Sequence, residues 1–266
     1  MLTCQQFVEL VTTFLDGAQS SVIADDSPPA LGEAGVEPLR HRVARRADDE
    51  VAIGNLRSVE QAVRTGTPVT EPERQVPGHA GPSGDDLSAL AAWLLEAAGN
   101  AAQTLAEAGP GTEAQVWVVR WPAAAWARRA AHDIVVHRAD AAGTVGAAYR
   151  VAPDLASDAV DEFLDLMSSQ ASRSGAPAPE GAPLTGSVHL HATDTGPDVP
   201  SEWLIELGSP TFSWRHGHEQ ATVAVRGPIA DVLRVVSRRL PPAAEGIEVL
   251  GDRGVLESWL DRMRLQ

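Results

Sequence analysis

Apolar residues recur at helical spacing from Thr3 to Asp16, where Phe7, Val8, Val11 and Phe14–Leu15 share a face and Gly17 offers a stop. Residues 18–34 are polar and broken by Pro and Gly, which reads as a loop. A second, weakly patterned helix is predicted from about Val36 to Arg64, ending at Gly66-Thr67-Pro68, and residues 66–86 read as a long polar loop. A third helix is predicted from about Asp85 to Ala108 through Leu87, Leu90, Trp93, Leu94 and Leu95, with Gly109-Pro110 as its stop. After the short apolar run Gln115–Trp121, Pro122 suits the first position of a fourth helix reaching about Val145. A further helix is predicted over Ala156–Met167.

The period then changes. Residues 168–183 are biased to Ser, Pro and Gly and read as a linker. Ser187–Thr193 alternates with period two, as a half-buried strand does, and Trp203–Leu207 and Ala221–Val225 are strand-like. Pro228–Arg238 predicts a helix through Ile229, Val232, Leu233 and Val236. Gly246–Leu250 predicts a short strand, and Val255–Arg264 a last helix. The layout is α+β and multidomain: a helical bundle over 1–167, the linker 168–183, and a small α+β domain over 184–266.

Composition narrows the chemistry. A net charge of −15 argues against nucleic acid and against an anionic membrane surface, since both repel an acidic protein. The single cysteine, Cys4, makes no internal disulfide and no multi-cysteine zinc site, which fits a reducing compartment. No secretion signal and no apolar stretch long enough to span a bilayer is apparent, so a cytoplasmic protein is expected. All 21 basic residues are arginine. That excludes Schiff-base lysine chemistry and the phosphate loop ending in Gly-Lys-Ser/Thr.

On a helical wheel of residues 122–145, Ala127, Ala130, Ala131, Ile134, Ala141 and Val145 fall on one side, which should face the core. Trp126, Asp133 and His137 border that side, with Arg129 and Asp140 just beyond. Asp133 and His137 are four apart and therefore neighbours on the helix surface. A carboxylate and an imidazole so placed can share a divalent metal, given a third ligand from another helix. Arg129, four residues before Asp133, allows another reading: an Arg–Asp–His ladder without metal.

Trp117, followed by Trp126-x-x-Arg129-x-x-His132-Asp133-x-x-x-His137-Arg138-x-Asp140-Ala141, resembles the signature helix of the mycothiol-dependent maleylpyruvate isomerase family, whose usual form is His-Glu-x-x-x-His-Arg-x-Asp-Ala. Thr185–Asp194, Trp203, Ala221–Gly227, Arg239 and Glu248–Asp252 follow the family's order in the C-terminal part. The resemblance implies a DinB-like four-helix bundle joined to a sterol-carrier-like α+β domain. It implies a divalent metal, zinc by expectation, held by the carboxylate and histidine of the signature helix (here Asp133 and His137) and by a second-helix histidine. Mycothiol, the small thiol of actinobacteria, would be the cosubstrate. Trp126 and Arg129 would line the thiol and substrate pocket, and Arg239 would act as the catalytic group that pairs with a substrate carboxylate. The implied activity is isomerisation or thiol transfer on a small acidic or electrophilic substrate.

The chain departs from that pattern in two places. Asp133 stands for the family's Glu, one methylene shorter. The second-helix histidine falls near Val51–Gly54, where none is present. His41 is the nearest replacement, about 15 Å earlier if that helix is continuous, and His79 lies in the long loop. These gaps motivate an alternative: a non-catalytic relative that binds a ligand or regulates a protein partner. Leu2–Ala18 resembles the opening of an anti-sigma-factor zinc domain without its later His-x-x-x-Cys-x-x-Cys, and reads as the bundle's first helix or as a protein-binding segment. His189 and His191 on one strand, with His216 and His218 close by, leave two readings, a second metal site or a solvated strand face, and the lack of an accompanying carboxylate or cysteine motif favours the solvated face.

Overall fold

The computed structural model describes residues 54–70, 81–82, 87–145, 147–173, 185–208 and 211–263. The helix expected over Thr3–Asp16, together with His41 and His79, lies outside them. The chain divides between Tyr149 and Arg150 into two compact units.

In the first unit, helix α1 (residues 54–65) precedes α2 (Leu87–Ala108), the hairpin β1 (Glu113–Val116) and β2 (Val119–Pro122), and α3 (Ala123–Val145). The expected helices over 85–108 and 122–145 are present to within two residues. Ala98, Ala101 and Ala102 of α2 pack on Ala130, Ala131 and Ile134 of α3, together with Leu56 of α1. Alanines at each contact let the backbones approach closely. A second cluster joins Val59, Ala62 and Val63 to Leu105, Val116, Trp126 and Ala127. The apolar run over 115–121 is the hairpin rather than featureless chain. Val116 pairs with Val119, and Trp117 in the two-residue turn has φ 52°.

In the second unit, α4 (Pro153–Arg173) precedes the five strands and two helices. These are β3 (Ser187–Ala192), β4 (Glu202–Leu207), β5 (Phe212–His216), β6 (Val223–Gly227), α5 (Ile229–Val236), β7 (Glu248–Gly251) and α6 (Arg253–Arg262). The sheet order is β5-β4-β3-β6-β7, with β3 and β6 parallel and the other pairs antiparallel. β5 was not expected from the sequence: its Phe-Ser-Trp-Arg-His stretch is a short, mostly solvated edge strand whose alternation rests on Phe212 and Trp214 alone, neither of them fully buried.

Helix α4 corrects two expectations. It runs to Arg173, so the linker expected from 168 begins inside a helix. It also belongs to the second unit rather than to the first. Its side chains and backbone bond to the sheet and its loops: the indole N–H of Trp203 donates to Asp161 at 2.6 Å, Ser157 donates to the Pro200 carbonyl at 2.7 Å, and the hydroxyl of Thr211 donates to the Ser168 backbone carbonyl at 3.0 Å. Val188, Leu190, Trp203, Ile205, Val223 and Val225 are all buried, alternating along the strands on one face. Ile229, Val232, Leu233 and Val236 of α5 are buried in the same core.

Gly251 explains part of the Glu248–Asp252 motif. It has φ 98°, and a Cβ there would stand 2.3 Å from the Thr222 carbonyl oxygen, so only glycine fits. The next residue, Asp252, then caps α6 by accepting from the backbone N–H of Gly254 and Val255.

Candidate functional site

Helix α3 carries the strip read from the sequence. Its core side is buried as expected at Ala127, Ala130, Ala131, Ile134 and Ala141. The buried surface is wider than the wheel suggested and takes in Val135, Ala139 and His132, the last only 2% exposed. The close packing of small side chains brings α1 against this strip and places Asn55 opposite Asp133.

Asp133 is the hub. Its Oδ1 accepts a 2.7 Å charge-assisted hydrogen bond from Nη2 of Arg129. Its Oδ2 accepts from Nδ2 of Asn55 at 2.8 Å and lies 3.9 Å from Nε2 of His137. On the far side of that ring, Nδ1 of His137 lies 3.6 Å from Oδ2 of Asp140. Burial pushes the Asp133 carboxyl up, but the charges of Arg129 and His137 and the Asn55 and Arg129 hydrogen bonds outweigh it, so Asp133 is held below the usual carboxylate value. Asn55 Oδ1 is buried and has no hydrogen-bond partner among the described residues.

Trp126 sits deeper than expected for a pocket wall. It is 4% exposed, its indole N–H donates to the Ala114 carbonyl at 3.1 Å, and its ring lies 4.9 Å from that of Trp121. Arg138, next along the motif, lies 5.2 Å over the Tyr149 ring, while the Tyr149 hydroxyl donates to the Val135 carbonyl at 3.1 Å. Arg239 belongs to the second unit. It follows the residue of positive φ, Arg238, and its Nη1 donates to the Ser237 carbonyl at 2.8 Å. It lines a cleft of about 460 Å³ with Arg238, Glu257, Leu260 and Asp261.

Family models match both parts in order: the mycothiol maleylpyruvate isomerase N-terminal domain over residues 39–142, and the C-terminal domain of the same family over 154–258. The chain belongs to the mycothiol-dependent maleylpyruvate isomerase family. The solved structure of the mycothiol-dependent maleylpyruvate isomerase shares the fold at 15% identity, covering 93% of each chain with a TM-score of 0.52. The sterol carrier protein 2 like 2 of Aedes aegypti matches 38% of this chain and 94% of its own, at 15% identity and a TM-score of 0.29. Comparison with curated protein sequences gives no match.

Two sites in this family member diverge from what the resemblance implies. Next to the stretch near Val51–Gly54 where the resemblance places a histidine, Asn55 meets Asp133 through an N–H rather than through a lone pair. Among the described residues, the α3 donor set does not by itself complete a metal site. Arg129 occupies one Asp133 oxygen and would oppose a cation there. Among the described residues, no third His, Cys, Asp or Glu brings a ligand atom within 4.8 Å of those of both Asp133 and His137. His41, the expected third ligand, lies outside the described residues. The sequence signal for Asn55 was its place at the end of the Val51–Asn55 stretch near the family's histidine position, which asparagine's weakness as a metal ligand obscured.

Proposed function

We propose that the protein is a mycothiol-dependent isomerase or thiol transferase acting on a small acidic or electrophilic substrate, with its chemistry on the α3 strip. The ordered match of both family domains carries this reading. His137, flanked by Asp133 and Asp140, is the base. It takes the thiol proton, and the thiolate adds to an activated double bond. A carbon–sulfur bond forms while the π electrons move into the conjugated carbonyl as an enolate. Rotation about the resulting single bond and elimination restore the double bond in the trans arrangement. The thiolate leaves and recovers its proton from His137. Arg129 keeps Asp133 ionised, Trp126 supports the strip from the core, and Arg239 is the proposed anchor for a substrate carboxylate. The family's zinc enters this proposal only with a third donor such as His41, with Asp133 and His137 as the other two ligands. The same reading makes the protein a cytoplasmic, actinobacterial enzyme with small-molecule partners. Among the described residues, no helix is long and apolar enough to cross a membrane.

The test is turnover of maleylpyruvate by the purified full chain with and without mycothiol. Thiol-dependent isomerisation that disappears in His137→Ala supports the proposal; unchanged turnover in that variant removes His137 from it.

One observation favours a second reading, a non-catalytic relative that binds a ligand or a regulatory partner. Both oxygens of Asp133 are engaged within the protein, by Arg129 and Asn55. Calorimetric binding of mycothiol without turnover would select this reading. Capture of a sigma factor through the N-terminal segment would select its regulatory form.

A further inference from the structure

A second polar cluster lies wholly within the second unit, and the α3 chemistry makes no use of it. His189 and His191, two apart on β3, point to the sheet face opposite Trp203. The antiparallel register sets Glu202 of β4 directly across from His191. Glu202 Oε2 lies 2.9 Å from His189 Nε2 and also contacts Nδ1 of His218, which follows β5. The ligand atoms of His189, Glu202 and His218 all lie within 4.8 Å of one another. The His191 ring completes the group, 5.9 Å from that of His189 and 6.1 Å from that of His218.

Several features distinguish this cluster from a solvated row of strand histidines. His189 is 6% exposed, so its polar ring is held inside the protein. One carboxylate oxygen serves two imidazole nitrogens, with a third imidazole beside them. The neighbouring guanidinium groups are matched to their own carboxylates, Arg226 to Glu248 at 3.3 Å and Arg215 to Glu219 at 2.6 Å, so neither sets an uncompensated positive charge beside the cluster. His216 is not part of it: its Nε2 lies 3.2 Å from Asp161, on the helix-covered face.

We propose that His189, Glu202 and His218 bind a divalent transition metal of the zinc class, with His191 as a donor at the rim. Two imidazoles and one carboxylate are a ligand set that zinc accepts, with a further position open to water. Bond lengths of about 2.0–2.1 Å in tetrahedral geometry separate neighbouring ligand atoms by about 3.4 Å. His189 and Glu202 stand on paired strands whose register fixes them. His218 is exposed and outside the ladder, so it is the ligand able to close onto the ion. This site is independent of the α3 reading, because it shares no residue with that strip.

The test is a titration of the chelator-stripped full chain with Co²⁺, read by its visible d–d absorption and by displacement with Zn²⁺. One saturable equivalent is expected from this cluster. His218→Ala and Glu202→Gln should each weaken it by at least about tenfold, whereas Asp133→Asn should leave it in place. Unchanged circular dichroism of His218→Ala, an exposed position, separates ligand loss from misfolding. Absence of saturable binding at micromolar protein overturns the proposal. So does binding that survives both His218→Ala and Glu202→Gln, or that disappears in Asp133→Asn alone, which would put the metal on α3.

Discussion

Asn55 and Asp133, 78 residues apart in sequence, are joined by a 2.8 Å hydrogen bond from the amide Nδ2 to the carboxylate Oδ2. This bond ties α1 to α3 close to the stretch, near Val51–Gly54, where the family resemblance places a histidine that this chain lacks. Asn55→Ala should therefore remove a largely enclosed, charge-assisted bond and lower stability by about 1.5–3 kcal/mol. It should also raise the Asp133 pKa, because the lost bond favours the charged form. Denaturant unfolding and carboxyl NMR titration measure the two effects; a variant as stable as the parent would show that the bond contributes nothing.

Asp133 gives the protein a pH dependence of known sign. Its folded pKa lies below that of an ordinary aspartate, so its contribution to stability is present above the ordinary value and is lost as pH falls through the lower, folded one. Wild type and Asp133→Asn should thus differ most near neutral pH and converge in acid. Paired unfolding curves at neutral and acidic pH check this. A gap that widens on acidification would contradict the assignment of a depressed pKa.

Trp203 is fully buried, and Asp161 is the acceptor for its indole N–H. Asp161→Ala leaves that donor without its acceptor and should cost roughly 1–3 kcal/mol, while Asp161→Asn, which keeps an acceptor oxygen, should cost less. The ordering of the two variants in thermal unfolding is the decisive reading, since simple loss of surface charge would make them equal.

The place of α4 has a consequence for fragments. A fragment of residues 150–266 retains the helix that accepts from Trp203 and Thr211, and it should unfold cooperatively. A fragment of residues 184–266 exposes Trp203 and the sheet face beneath α4 and should be soluble only poorly, or unfold without a sharp transition. Equal cooperativity in the two fragments would mean that α4 is dispensable to the sheet.

Much of the architecture was legible because it rests on local periodicity. The alternation over 187–192, the apolar spacing of Ile229, Val232, Leu233 and Val236, and the alanine stripe of α3 each point to one element and one buried face. β5 was not legible, because a solvated edge strand has little apolar pattern to show. The linker boundary was misplaced because Ser168, Ser169 and Gln170 are poor punctuation: they continue α4 while resembling the Ser-rich segment that follows.

The sequence by itself determined the family, the signature helix, and the neighbourhood of Arg129, Asp133 and His137, since i,i+4 spacing on a helix already makes those side chains adjacent. Only the tertiary structure decided what completes each cluster. Asn55 reaches Asp133 through the packing of two helices, and Glu202 reaches His189 and His218 through strand register. Such contacts join residues far apart in the chain, and no local pattern records them. That is why a carboxylate looked absent from the histidine-rich strand, and why the residue facing Asp133 looked to be missing.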